Sequence, residues 1–144
     1  MNINYGANQN RWLSNFYRRD FIYEGFRYKS VEQAFQYVKY FSCDYSAENL
    51  SIARQILEST DPFAIKSLSK NYTNLNREVW DLVSSMFMKT FIKYSFIQNP
   101  LQMKRLLATG DVVFTHNTKA KPDKWVTEFP RILMEVREEL KNFK

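Results

Sequence analysis

The pattern of hydrophobic and polar positions is clearest in residues 30 to 39, which predict a two-sided helix. One side carries apolar residues at the spacing of a core-facing surface: Val31, Ala34, Phe35 and Val38. A second stripe places Glu32, Gln36 and Lys39 at i, i+4 and i+7 of the same helix. This polar stripe has two interpretations, the floor of a binding site or a solvated Glu-Lys face, and spacing alone favours the solvated face.

The segment before this helix predicts a β-hairpin and a helix cap. Residues 21–23 and 26–28 are Phe-Ile-Tyr and Phe-Arg-Tyr, and the Glu24-Gly25 pair between them is typical of a two-residue hairpin turn. Ser30 then stands where an N-cap belongs, three residues before Gln33, which resembles a capping box.

Apolar periodicity and the positions of Pro and Gly predict five more helices. They cover residues 47–58, 61–68, 77–96, 101–108 and 130–143, and Pro130 opens the last of them. A short strand is expected at residues 112–114 and a polar loop at residues 119–123. The chain is therefore expected to be one domain, residues 1–144, of helix-rich α+β class with a small β-sheet.

Composition and charge add information about partners. The net charge is +6 and the pI is about 9.4, which favours polyanions such as nucleic acids, nucleotides or phosphates. The lone cysteine, Cys43, excludes an internal disulfide, and one Cys with one His leaves the usual zinc-ligand sets unavailable. We expect no metal and no cofactor. Since no long apolar run or leader is visible, a soluble cytoplasmic protein without membrane contact is expected.

Two segments closely resemble the opening signature of NADAR domains, the family of YbiA-like proteins. They are residues 11–17, Arg-Trp-Leu-Ser-Asn-Phe-Tyr, and residues 28–36 with Lys39. Further matching positions follow in the same order: Asp61-Pro62, Lys66, Arg77 to Trp80, Met86, residues 98–100, residues 106–111 and residues 133–137. The resemblance implies a YbiA-like fold and N-glycoside hydrolysis. Family members remove ADP-ribose from guanine in nucleic acid or cleave ribosylamino-pyrimidine intermediates of riboflavin synthesis.

The resemblance also implies roles for the polar stripe of the first helix. Both family substrates join C1 of ribose to an exocyclic amino nitrogen. Glu32 is assigned to proton transfer, and Lys39 either to Schiff-base chemistry or to binding of a phosphate or hydroxyl. Gln36 would orient a ribose hydroxyl, or else is a satisfied polar residue on the helix flank.

The remaining candidates are expected to bind substrate. They are Arg11, Ser14, Asn15, Phe16, Arg77, Trp80, His116, Asp123 and Trp125. Several have a structural alternative: Asn15 could form an Asx turn, Trp80 could belong to the core, and a lone His is weak evidence for catalysis. Arg18 and Arg19 are further phosphate candidates next to Asn15.

The C-terminal third departs from the family pattern. Residues 126–130, Val-Thr-Glu-Phe-Pro, replace a glycine-rich segment, and Asp123 to Trp125 is one residue short of the family's motif. Either the site is more open on this side, as a DNA or RNA chain would need, or other cations take over: Lys119, Lys121 and Lys124. Ser95 also replaces a family Lys.

The leading expectation is a glycosidase that hydrolyses the bond between ADP-ribose and guanine in DNA or RNA, reversing the damage left by an ADP-ribosylating toxin. ADP-ribose would be its product. One alternative is a glycosidase acting on riboflavin-pathway intermediates. The other is an inactive module that binds ADP-ribose or a nucleotide.

Overall fold

The computed structural model describes residues 1–3, 9–116 and 123–143, and within them the chain has the expected helix-rich α+β architecture. A two-stranded antiparallel sheet is formed by β1 (Phe21–Tyr23) and β2 (Phe26–Tyr28). The α-helices are α1 (Val31–Lys39), α2 (Ala47–Glu58), α3 (Pro62–Ser69), α4 (Arg77–Ile97), α5 (Pro100–Ala108) and α6 (Trp125–Leu140). Two short 3₁₀ turns cover Arg11–Leu13 and Tyr40–Ser42.

The predicted hairpin is confirmed. Glu24 and Gly25 have φ angles of 52° and 81°. Positive φ angles at both central residues are typical of the turns that join the strands of a two-residue hairpin. Gln98, just beyond α4, accepts a hydrogen bond from the Ile22 amide and donates one to its carbonyl, at 2.7 and 2.9 Å. The hairpin is thereby attached to the end of α4.

The start of α1 follows the predicted cap with one difference. Ser30 Oγ accepts the hydrogen bond of the Gln33 amide at 3.1 Å, as expected of an N-cap. The Gln33 side chain accepts from the Lys29 amide, not from that of Ser30, and donates to backbone carbonyls at the end of α2, including that of Ile56. Gln33 thus fixes α1 against α2 as well as closing its own cap.

The predicted strand at residues 112–114 is wrong. Val112 and Val113 are exposed, and only Phe114 is buried. The described residues contain no neighbouring strand for these positions, so their β-branched side chains lack a sheet to join. An isolated bridge between Thr115 and Asn2 is the one pairing found nearby in the described chain.

The last helix begins earlier than predicted and ends earlier. Asp123 Oδ1 accepts from the Trp125 amide at 2.9 Å, and the Glu128 amide already bonds the Lys124 carbonyl. Pro130 therefore lies inside α6, where it cannot donate to the carbonyl one turn earlier. The helix ends at Leu140 rather than residue 143. Of the predicted loop at residues 119–123, only Asp123 lies within the described residues.

Helix α4 is central, packing against α1 on one side and α6 on the other. The core-facing residues of α1 are buried as predicted: Val31, Ala34, Phe35 and Val38. A smaller cluster joins α2 to α3 through Ile52, Ile56 and Ile65. No helix in the described ranges is long and apolar enough to cross a membrane.

Arg19 is a structural residue and not a surface phosphate ligand. Its side chain is 1% exposed, and its guanidinium donates to the carbonyls of Trp12 and Ser14 and to Ser95 Oγ. These hydrogen bonds fix the loop that carries Ser14 and Asn15 to the buried Arg19 side chain. Arg18 is exposed and pairs with Asp20 at 2.9 Å.

Candidate active site

A cavity of about 420 Å³ lies where α1, α3, α4 and the start of α6 meet the loop after the first 3₁₀ turn. Most of the predicted site residues line it: Ser14, Asn15, Phe16, Glu32, Gln36, Lys39, Arg77, Trp80, His116, Asp123 and Trp125. Arg11 is the exception, because it is exposed on the first 3₁₀ turn and does not contribute to the lining. The polar stripe of α1 thus faces a cavity and not open solvent.

Glu32 is the buried carboxyl group of this cavity. Its side chain is 6% exposed, and its backbone amide donates to the Asn15 carbonyl at 3.1 Å. Burial raises the pKa of the Glu32 carboxyl, while the hydrogen bond from Gln36 and the charges of Lys66 and Lys39 oppose that rise. A buried carboxyl group with a raised pKa is a candidate for proton transfer.

Two amide oxygens beside Glu32 are buried and have no hydrogen-bond partner among the described residues. They are Asn15 Oδ1 and Gln36 Oε1. Gln36 Nε2 is occupied by Glu32 Oε1 at 2.9 Å, and Asn15 Nδ2 lies 3.2 Å from the sulfur of Met88. Since buried polar groups are usually satisfied, these two oxygens are unusual acceptors, because neither has a donor among the described residues.

Cationic side chains line the same cavity as the Glu32 carboxyl group. Five of them line the cavity: Lys39, Lys66, Lys70, Arg77 and Lys124. Burial lowers the pKa of the Lys39 amine, and the nearby charge of Arg77 lowers it further, whereas Cys43 and Glu32 raise it. A larger fraction of the Lys39 amine is therefore neutral and nucleophilic than for an exposed lysine.

Lys66 and Lys70 were not predicted as site residues. Lys66 lies in α3 and Lys70 is the C-cap residue of that helix, about one turn later, and both line the cavity. The only sequence signal for Lys66 was its position in the NADAR-like pattern, and Lys70 had none. Lys66 opposes the rise in the pKa of Glu32 more strongly than Lys39 does.

The aromatic wall of the cavity is built around Phe35. Its ring lies 5.0 Å from that of Trp80 and 5.3 Å from that of Trp125, measured between centroids. Trp80 is buried and belongs to the main core, so its structural role is established whether or not it also contacts substrate. Trp125 is partly exposed and presents a planar surface to the cavity.

His116 and Asp123 lie on the α6 side. The His116 ring packs edge-on against Phe129 at 5.5 Å, and its Nδ1 is buried without a partner in the described chain. Burial lowers the pKa of His116, with Lys66 adding to this and Asp123 opposing it. Asp123 also accepts a hydrogen bond from the Trp125 amide at the start of α6.

The cations expected to replace the glycine-rich loop are only partly described. Lys124 donates to Ser84 Oγ at 2.7 Å and lies 4.8 Å above the Trp125 ring. Lys119 and Lys121 fall outside the described residues. In the described chain, no group of three or more His, Cys, Asp or Glu side chains is placed to hold a metal ion.

Known proteins are similar to this chain in sequence or in fold. A riboflavin biosynthesis protein of Vibrio vulnificus is 28% identical over 137 residues, which cover 90% of this chain and 35% of that protein. The chain therefore spans about a third of the length of this curated relative. The solution structure of Escherichia coli YbiA matches the fold with a TM-score of 0.80 at 19% identity, over 98% of this chain and 84% of that one. The family model for the NADAR domain matches residues 4–141, and the chain belongs to the NADAR domain family.

Proposed function

We propose that this protein is an N-glycosidase that hydrolyses the bond between ADP-ribose and guanine in nucleic acid. The NADAR family is associated with N-glycosidase activity. One observation carries the proposal for this chain: the buried Glu32 carboxyl lies beside two buried, unpartnered amide oxygens, those of Asn15 and Gln36.

The acceptor-rich floor fits a ribose. Neighbouring ribose hydroxyls are hydrogen-bond donors, and the oxygens of Asn15 and Gln36 are acceptors that lack donors within the described chain. Binding a ribose there would satisfy groups that are costly to leave unpaired, and would place C1 of the sugar near Glu32. The same contacts would reject a ligand without hydroxyls.

The cationic and aromatic walls fit the rest of the substrate. Lys39, Lys66, Lys70 and Arg77 give the cavity the positive charge that the diphosphate of ADP-ribose requires. Trp125 and Phe16 offer planar surfaces to a base. The net charge of +6 favours a substrate that is part of a polyanion.

The reaction requires one proton transfer and one water. The bond between C1 of ribose and the amino nitrogen of guanine breaks, water supplies hydroxyl to C1, and the nitrogen receives a proton. Glu32, with its raised pKa, is the group that moves protons between the sugar, the leaving nitrogen and water. The products are ADP-ribose and unmodified guanine.

Lys39 offers a covalent route to the same products. If the ribose ring opens to an imine, the Lys39 amine attacks C1 and the guanine amine departs, leaving a Schiff base that water hydrolyses. The lowered pKa of Lys39 favours this role. Otherwise Lys39 contributes only its charge to phosphate binding.

A second candidate is hydrolysis of ribosylamino-pyrimidine intermediates of riboflavin synthesis. The similarity to the Vibrio vulnificus riboflavin biosynthesis protein favours it. Such a substrate has the same ribosylamino linkage but only one phosphate and no polymer attached. The basic charge of the chain and its five cavity cations are the reasons for ranking this candidate second.

Single-turnover assays would separate these functions. The protein in excess is mixed with a guanine-ADP-ribosylated oligonucleotide or with a ribosylamino-pyrimidine phosphate, and release of the free amine is followed. Faster cleavage of the oligonucleotide supports the proposal, and faster cleavage of the pyrimidine supports the second candidate. Binding of ADP-ribose without cleavage of either would identify an inactive binding module. In the proposed role the protein acts in the cytoplasm as an antitoxin-like repair enzyme.

A further inference from the structure

An aromatic and basic strip runs along α3 from the cavity to the outer surface. Phe63, Lys66 and Lys70 are spaced i, i+3 and i+7 and so share one side of the helix. Lys66 and Lys70 line the cavity, whereas Phe63 does not and is 55% exposed. Phe16 connects the two regions, because it lines the cavity and its ring contacts that of Phe63.

The geometry of this contact separates two positions for planar groups. The Phe16 and Phe63 ring centroids are 4.8 Å apart and their planes are inclined at 84°. Perpendicular rings cannot both stack on one base, so a base lying flat on Phe63 belongs to a different unit from a group lying flat on Phe16. Lys66 Nζ lies 5.9 Å from the Phe16 ring, close to the boundary between the two positions.

We propose that this strip binds the nucleotide next to the modified one in a single-stranded substrate. The neighbouring base stacks on Phe63, and Lys66 and Lys70 bind the intervening phosphate, while Lys39 and Arg77 bind the diphosphate of the ADP-ribose in the cavity. The proposal rests on the proposed function, since it assumes that the reacting nucleotide occupies the cavity. Proteins that bind single-stranded nucleic acids combine aromatic side chains, on which bases stack, with cationic side chains that bind phosphates. The perpendicular orientation of the Phe16 and Phe63 rings fits a nucleotide that is turned out of the stack of its neighbours.

Substitutions at Phe63 test the stack. Phe63→Leu keeps an apolar side chain against Phe16 but removes the aromatic face, whereas Phe63→Trp retains one. We expect Phe63→Leu to raise KM for a guanine-ADP-ribosylated single-stranded oligonucleotide by roughly 5- to 100-fold, the range for loss of one base stack. Cleavage of ADP-ribosylated guanosine should be unchanged, and Phe63→Trp should behave as wild type on both substrates.

Phe143→Leu is the matched control. Phe143 is 47% exposed and lies beyond the C-terminal end of α6, about 24 Å along that 16-residue helix from the cavity residue Trp125. It should leave both substrates unaffected. An equal loss on oligonucleotide and nucleoside in Phe63→Leu would overturn the proposal, because Phe63 would then contact the ADP-ribosylated guanosine itself. No loss on either would overturn it as well.

Failure of the proposed function gives a different result. If the wild-type protein cleaves neither substrate, the glycosidase proposal fails, and the strip is then tested by binding of an unmodified single-stranded oligonucleotide, followed by fluorescence anisotropy. Weaker binding by Phe63→Leu than by Phe143→Leu supports the strip, and equal binding overturns it. In the same assay, Lys70→Gln should lower the slope of log affinity against log salt by about 0.7, whereas Lys104→Gln on α5 should not.

Discussion

Gln36 Nε2 donates to Glu32 Oε1 across 2.9 Å, and this bond determines what both residues present to the cavity. It stabilises the charged form of the Glu32 carboxyl against the effect of burial. Because the bond uses the amide nitrogen of Gln36, the amide oxygen is left as an acceptor without a partner in the described chain. In the proposed mechanism the two residues form one unit: Gln36 lowers the pKa of the proton-transfer group Glu32 and offers its amide oxygen to a donor of the substrate.

Replacing Gln36 with Leu should shift the pH dependence of the reaction. Without the hydrogen bond the pKa of Glu32 rises further, so the limb of the pH–rate profile that reports Glu32 should move to higher pH. Gln55→Leu, on the exposed side of α2, is the control and should leave the profile unchanged. A Gln36→Leu profile that is lower but not displaced would mean that Gln36 only binds substrate.

Glu32→Gln should abolish most of the activity while keeping the fold. The amide preserves the shape of the side chain and still accepts the hydrogen bond from Gln36, but it cannot transfer a proton. Turnover should fall by about 10²- to 10⁴-fold, the usual contribution of a positioned acid or base. Wild-type turnover by a folded Glu32→Gln protein would remove Glu32 from the mechanism.

The same substitution should stabilise the protein at neutral pH. The folded-state pKa of Glu32 lies above its value of about 4.3 in an unfolded chain. Below that unfolded value the carboxyl group is protonated in both states, so its ionisation does not affect stability. As the pH rises through the folded-state pKa, the buried carboxyl group must ionise, and the fold is destabilised. Glu32→Gln removes this penalty. The free energy of urea unfolding should exceed that of wild type at pH 7 and equal it near pH 4, and a constant difference at both values would contradict the argument.

The covalent route predicts a trapped adduct. Borohydride added during turnover should reduce a Schiff base and leave a stable ADP-ribose-derived adduct, which peptide mass spectrometry would locate on Lys39. Lys39→Arg should form none, because a guanidinium does not replace the amine. Lys66 is the second cavity amine close to Glu32, so an adduct on Lys66 in wild type would transfer the nucleophile's role to it. Retained activity in Lys39→Arg with no adduct anywhere would make Lys39 a charge contact.

Local signals account for the parts of the fold that were predicted correctly. The hairpin turn at Glu24-Gly25 and the Ser30 cap are encoded within a few residues, and both occur as expected. The strand at residues 112–114 failed because β-branched residues form a strand only where another strand is available. The start of α6 was predicted wrongly at Pro130 because proline is common in the first turn of a helix, whereas here it lies inside a helix that begins at Trp125.

The site required tertiary information that the sequence does not display. From the sequence alone, the polar stripe on α1 could also be a solvated face. In the structure it lines a cavity together with residues of α3 and α6. Lys70 is indistinguishable in sequence from any surface lysine. Arg19 looked like a phosphate ligand because a buried arginine is uncommon, yet its hydrogen bonds are all made within the protein.

Ser95 should be essential for stability because of Arg19. Ser95 is fully buried and accepts from Arg19 Nε at 3.2 Å, so Ser95→Ala should destabilise the fold by about 1–3 kcal/mol. Ser95→Lys should cost more, because it places a second cation beside a buried one. Ser67→Ala, on the exposed side of α3, should change the unfolding free energy by less than about 0.5 kcal/mol. Urea unfolding gives the free energy of unfolding of all three variants. A Ser95→Lys protein as stable as wild type would contradict the prediction, because it would show that the Arg19 guanidinium can move away from the added cation.

The last prediction concerns the size of the substrate. If the basic charge serves a polyanion, lysines contact phosphates beyond the reacting nucleotide, and each contact releases counterions. The affinity for a modified oligonucleotide should then exceed that for ADP-ribosylated guanosine and fall more steeply with salt, by a log–log slope of about 0.7 for each phosphate contacted. Replacing both Lys119 and Lys121 with Gln should reduce the slope for the oligonucleotide by about 1.4.

A second double variant separates local contacts from overall charge. Replacing Lys93 and Lys104 with Gln removes the same two charges from α4 and α5, at positions that do not line the cavity. If Lys119 and Lys121 contact phosphates directly, the control variant should keep the wild-type slope of log affinity against log salt. An equal reduction of this slope in both double variants would mean that only the net charge of the protein affects binding. Lys124 is left unchanged because its bond to Ser84 would combine a structural loss with the loss of charge. Equal affinity and equal salt dependence for oligonucleotide and nucleoside would make the basic charge incidental, and would place a small ribosylamino metabolite ahead of nucleic acid as the substrate.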